Sequence, residues 1–198
     1  EIIPAKNMIT GYTTRNSGGV PANFRNYFVV QFDRPFDRAS TFVGDSAAAL
    51  SMADGVLEQT AFHTGAVIGF NTVRGEKVHA RVASSFISPE QAELNLNELG
   101  GYSFDEIVAQ GRKAWKHVLG RFEVEGELDH LRTFYSCLYR ALLFPRKLYE
   151  ITADGSIMHY SPYNGEVLPG YMYTDTGFWD TFRSLFPLLN LVYPSVNA

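Results

Sequence analysis

The chain has 198 residues, 45% of them apolar and 14% aromatic, with a formal net charge of −4. That length supports a sizeable core and one or two domains, and mild acidity without a Lys/Arg block argues against nucleic-acid binding. No apolar run is long enough for a membrane-spanning helix, and the single cysteine, Cys137, excludes an intramolecular disulfide.

Up to Phe86 the pattern is that of short strands separated by turns. Asn26 to Asp33 is rich in aromatic and β-branched residues, and Pro35 closes it. Gly18-Gly19, Gly44-Asp45 and Ala53-Asp54-Gly55 read as turns. The paired glycines precede no helix, so they make no phosphate loop. Asp33, Arg34, Asp37 and Arg38 alternate in sign, as on a solvated edge. Gly65 to Phe70 predicts a buried strand. Val78 to Ile87 alternates apolar and polar residues, as a half-buried strand does. Many short strands with turns between them predict a β-sandwich.

The character changes at Ser88. Ser88-Pro89-Glu90-Gln91 predicts a capping box with proline at the first helical position, opening a short helix that Gly100-Gly101 stops. Ser103-Phe104-Asp105-Glu106 is a second capping box. It starts a helix to about Leu119 with Gly120 just beyond its end. Leu128 to Phe144 shows helical spacing of Leu131, Phe134, Tyr135, Leu138, Tyr139 and Leu142, and Pro145 ends it. These aromatics, and Cys137 among them, read as core packing. Tyr149–Ile151 and Ile157–Tyr160 flank the turn Ala153-Asp154-Gly155-Ser156, a hairpin signal. Ser161 to Gly170 reads as a loop.

The last stretch carries the chemistry. Thr174, Asp175 and Thr176 can cap a helix start, and Gly177 frees the backbone there. Trp179, Asp180 and Arg183 then fall at i, i+1 and i+4 of one helical face. Two readings stand. An indole face, a carboxylate and a guanidinium together suit a sugar, because the indole stacks on C–H groups while the charged groups bond hydroxyls. A buried Trp beside an Asp–Arg ion pair is the structural alternative. Glycoside hydrolysis usually needs two carboxyl groups across the scissile bond. Glu150, Glu166, Asp175 and Asp180 are the nearby candidates, and none has the marks of a general acid. His63, His79, His117, His130 and His159 show no metal-ligand spacing.

Four segments carry a family resemblance. FWDTFRSLFPLLNLVYP (Phe178 to Pro194) resembles the WDT-F/Y-R segment of glycoside hydrolase family 92, the calcium-dependent exo-acting α-mannosidases. Arg132 to Pro145 resembles that family's RTFY-x-x-LYR-x-LL-x-P helix. Phe86 to Ala92 resembles a strand end running into a helix, and Asn26 to Phe36 a strand of the N-terminal sandwich. The resemblance implies an α+β architecture: a β-sandwich portion over residues 1–87, a helical linker over 88–127, and the first part of an (α/α)6 catalytic domain over 128–198. It implies an inverting, calcium-assisted enzyme that removes terminal α-linked mannose, α-1,2-linked in this reading, from N-glycans or mannoproteins. The expected location is secreted, periplasmic or at the cell surface. It further implies that Trp179 and Asp180 line the pocket for the terminal mannose, with Arg183 in the same motif touching sugar or holding Asp180. The family's acid, base and calcium ligands match nothing here. Both ends look cut from something longer, so the isolated chain is expected to be inactive and to expose apolar helix faces. A non-catalytic carbohydrate-binding or scaffold protein on the same architecture is the alternative, and an α-glucoside hydrolase or phosphorylase a narrower one.

Overall fold

The computed structural model describes residues 1–45, 49–173 and 177–197. The sequence-predicted cap of Thr174, Asp175 and Thr176 lies outside the described residues.

Seven strands come first: β1 (Ile2–Ile3), β2 (Met8–Thr13), β3 (Asn26–Phe32), β4 (Arg38–Asp45), β5 (Ala49–Asp54), β6 (Thr64–Gly69) and β7 (Ala80–Ser85). They form two antiparallel sheets, ordered β1-β2-β3-β7 and β5-β4-β6. Each sheet pairs a glycine directly with a phenylalanine, Gly11 with Phe28 and Phe42 with Gly65. The ring lies over the bare backbone; a Cβ on Gly11 would sit 2.7 Å from Phe28 Cζ. The ring thereby covers the surface that a missing side chain would leave to water. Gly44 and Asp45, expected in a turn, stay within β4, because the Gly44 N–H finds a strand partner in the His63 carbonyl at 2.6 Å. The buried strand expected at Gly65 to Phe70 is instead partly open, with Val67 47% exposed on an edge strand.

Helix α1 (Pro89–Asn95) continues as a 3-10 turn to Leu99, and Gly100 at φ 55° ends it. Its Ala92 and the following Leu96 pack on Met8 and Val29 to make a buried core. Ser88 Oγ accepts from the Gln91 N–H at 3.1 Å, so the cap forms. Gln91 does not reach back as a capping box requires; its amide donates to Asn95 Oδ1 and to the Ile151 carbonyl, both at 2.8 Å. A third antiparallel sheet, ordered β10-β9-β8, consists of β8 (Tyr149–Ile151), β9 (Ile157–Tyr160) and β10 (Val167–Pro169). The hairpin β8–β9 is as the sequence suggests. Strand β10 falls in the segment read as a loop, with Val167 opposite Tyr160 and its closing Pro169 on an edge, where no ladder donor is needed.

Two compact units result. The first joins Glu1–Gly101 to Glu150–Pro169, and the second joins Tyr102–Tyr149 to the segment from Gly170 on. The second unit contains α2 (Phe104–Leu119), α3 (Leu128–Ala141), α4 (Phe178–Thr181), α5 (Leu185–Val192) and α6 (Pro194–Asn197). The Ser103–Glu106 capping box is complete in both directions. Trp115 of α2 meets Tyr139 of α3 with ring centroids 4.4 Å apart. The Tyr193 hydroxyl donates to the Val118 carbonyl at 3.0 Å, the Arg121 guanidinium lies 4.8 Å over the Tyr193 ring, and Arg121 also donates to the Val192 carbonyl.

Cys137 is exposed, against the expectation of core packing. The covered line of α3 runs through Leu131, Tyr135, Leu138 and Leu142, and Cys137 lies one residue round the helix from Leu138. Phe134 and Tyr139 also keep 36% and 41% of their surface exposed. The helix ends at Ala141, short of the expected Phe144.

Candidate functional site

The segment expected to be one helix from Gly177 onward is two, α4 and α5, separated by Phe182, Arg183 and Ser184. Pro187 supplies the reason. It has no N–H to give the Arg183 carbonyl and its ring would clash with that oxygen, so it is tolerated only in a first turn, which α5 provides. Gly177 caps α4 in the left-handed region at φ 64°, ψ 79°. Its carbonyl accepts from the Asp180 N–H and from Thr181 Oγ1, each at 3.0 Å.

This short turn projects its aromatic groups outward. Phe178 is 73% and Trp179 79% exposed. Phe178 stacks on Phe182 with centroids 5.7 Å apart and planes 18° apart, and Trp179 lies 6.4 Å from the same ring. Arg183 places its guanidinium 4.9 Å over Phe182. Asp180 and Arg183 are both exposed, and among the described residues they form no ion pair with each other. The buried-tryptophan, ion-paired alternative is therefore not the arrangement the chain adopts. The open indole face can stack on apolar C–H groups, and the carboxylate can accept from hydroxyls. Sequence reasoning missed Phe178 and Phe182 as the aromatic support. Their i, i+4 spacing was the available signal.

Just upstream, Lys147–Tyr149 runs beside Tyr171–Tyr173 in the same unit. The Leu148 N–H donates to the Met172 carbonyl at 2.8 Å, and Lys147 bridges Tyr173. The Tyr149 ring meets Tyr171 and Tyr173 edge-on, at 4.9 and 5.7 Å. Burial, followed by the Tyr149 hydroxyl, pushes the Tyr173 phenol up.

Two of the other sequence candidates have partners of their own in the first unit. Glu150 belongs to the first unit, where it accepts from the Phe86 N–H and from Asn95 Nδ2. Glu166 accepts from Asn164 Nδ2 at 2.9 Å inside its own loop. Asp175 lies outside the described residues. Calcium requires six to eight hard oxygen ligands. Among the described residues no three His, Cys, Asp or Glu side chains converge to hold a metal ion, so these residues do not fit a calcium cage.

Two family models divide the chain between them. The N-terminal domain of glycosyl hydrolase family 92 matches residues 1–85, and the catalytic domain of the same family matches residues 91–198. The chain belongs to glycosyl hydrolase family 92. Its sheets and the helices that follow correspond to that family's N-terminal β domain and the start of its helical barrel. A family GH92 inverting mannosidase from Bacteroides thetaiotaomicron is similar at 47% identity and a TM-score of 0.91, over 98% of this chain and 26% of that one. A family GH92 alpha-mannosidase from the same organism is similar at 27% identity and a TM-score of 0.75, over 97% and 26% of the two chains. Its complex with mannoimidazole gives 27%, 0.76, 97% and 25%. The chain thus spans about a quarter of the length of these mannosidases. A comparison with curated proteins found no match.

Proposed function

We propose that the protein containing this chain is an inverting exo-α-mannosidase that removes terminal α-1,2-linked mannose from N-glycans or mannoproteins. The observation that carries this reading is 47% identity to an inverting mannosidase over 98% of the chain. In this reading Trp179 stacks on the terminal sugar and Asp180 accepts from its adjacent hydroxyls. Their exposure on α4 supports that role. Arg183 supports the aromatic cluster through Phe182 and adds a donor at its rim. Calcium, when bound, would hold and distort the ring with oxygen ligands supplied from outside the described residues, and the acid and base carboxylates would likewise come from elsewhere. The 198-residue chain by itself would then be inactive. A secreted, periplasmic or cell-surface location fits a glycan substrate.

The test is mannose release from linkage-defined mannobiosides by the full-length protein, with and without a chelator. Release from the α-1,2-linked disaccharide, abolished by the chelator and restored by calcium, is expected. No release from any linkage would overturn the reading, and chelator-resistant release would remove calcium from it.

A further inference from the structure

The family boundary and the physical boundary of this chain disagree. The catalytic-domain match begins at residue 91, yet the rest of α1 and the sheet β8–β10 from Glu150 on pack into the first compact unit, with the N-terminal strands. Three independent contacts hold that sheet there. The first is a polar knot around Glu150. One of its carboxylate oxygens accepts from the Phe86 N–H and the other from Asn95 Nδ2, each at 2.8 Å. Asn95 Nδ2 also donates to the Ser84 carbonyl at 2.9 Å, and Gln91 ties Asn95 to the Ile151 carbonyl. The second is Asn23, which donates to the Gly165 carbonyl at 2.8 Å and accepts from the Tyr160 hydroxyl at 3.2 Å. The third is Phe24, whose ring meets Phe86 at 5.8 Å and buried Tyr160 at 5.9 Å.

We propose that the N-terminal β domain is not a separable accessory module: residues 150–169, drawn from the catalytic-domain match, complete it, and Glu150 is the clasp. The partners span 55 to 142 residues of sequence, so the unit closes only after the chain has passed through α2 and α3. Both Glu150 partners are N–H donors. A carboxylate suits both, whereas a glutamine must turn its own NH2 toward one of them and leave two donors facing each other. Glu150→Gln keeps the shape and breaks one bond.

Native-state hydrogen exchange on the full-length protein separates a shared unit from a loosely attached sheet. In Glu150→Gln the Phe86 amide and the β9 amides should exchange at least about tenfold faster, and the β3 amides, Val29 included, should accelerate by the same factor. Acceleration confined to residues 150–169, with β3 unchanged, would overturn the proposal, as would no change anywhere. If Glu150→Gln fails to fold, Asn23→Ala probes the same claim from the opposite end of the sheet. It should produce the same shared acceleration, and a response limited to the loop at Gly165 would overturn it.

Discussion

The two units keep their shape by different means. The first relies on partners distant in sequence: paired registers, glycines under phenyl rings, and the Glu150 knot. The second combines local ties with distant ones, such as the Tyr193 hydroxyl on the Val118 carbonyl. Its helix α2 is capped within three residues, at Ser103–Glu106, and ring pairs such as Trp115–Tyr139 and Phe122–Phe134 add to the packing. Both units leave large apolar residues open, Phe62 and Tyr163 in the first and Phe178, Trp179 and Leu191 in the second. What is fixed from afar tolerates few changes in backbone space.

The largest effect that would break this contrast is at Gly65. In Gly65→Val the new side chain meets the Phe42 ring, and overpacking of this kind costs about 1–3 kcal/mol. Thermal melting should drop by several degrees; an unchanged melting temperature would mean that the ring moves aside freely and the first unit is less constrained than described. Asp180→Ala sharpens the contrast from the other side. A hydrogen bond to a charged group is worth about 1.5–3 kcal/mol. If the proposed activity holds, kcat/KM of the full-length protein should therefore fall at least ~10-fold while melting stays nearly constant. Early melting with kcat/KM retained would make Asp180 a structural residue. Ser103→Ala removes the local cap and should cost about 1 kcal/mol, read as a shift in the denaturant midpoint. A zero shift would imply that α2 is held by tertiary contacts alone.

The smallest effect concerns Asp33, whose carboxylate accepts a 2.8 Å bond from His79. That bond holds the Asp33 carboxyl below the usual range. A depressed folded value means the contribution is present above the unfolded carboxylate pKa and lost as pH falls through the lowered folded value. Because the pair is exposed, the contribution should stay under about 1 kcal/mol. Asp33→Asn should thus melt slightly earlier than wild type at pH 6 and equally at pH 2. A difference persisting at pH 2 would assign it to something other than charge.

Legibility in the sequence follows the same division. The Ser103 box, strand β3 and the β8–β9 hairpin are written in a few adjacent residues, so pattern reading finds them. Ser88 shows the limit: its cap is local and forms, but the destination of Gln91 depends on Ile151, sixty residues away. Strand β10 was hidden because prolines and glycines mark turns, and its ladder to β9 is visible only once the hairpin exists. Cys137 was misplaced because apolar spacing names a stripe on α3 without saying which edge of it is covered. At the candidate site, a motif singled out Trp179, Asp180 and Arg183, and the structure leaves all three exposed. The break at Pro187 and the stacking of Phe178 on Phe182 were written there too, in a proline position and a four-residue spacing, and went unused.

Gly177 has one consequence beyond its place as a cap. Its φ of 64° and ψ of 79° lie near the mirror image of an ordinary helical conformation. An L-residue there is strained whatever the room available. A D-amino acid has no such objection, since its preferred angles are those already present. The presentation of Trp179 therefore depends on handedness at a single backbone position. A semisynthetic chain carrying D-alanine at 177 would stiffen that turn, while L-alanine at the same place would bend it away.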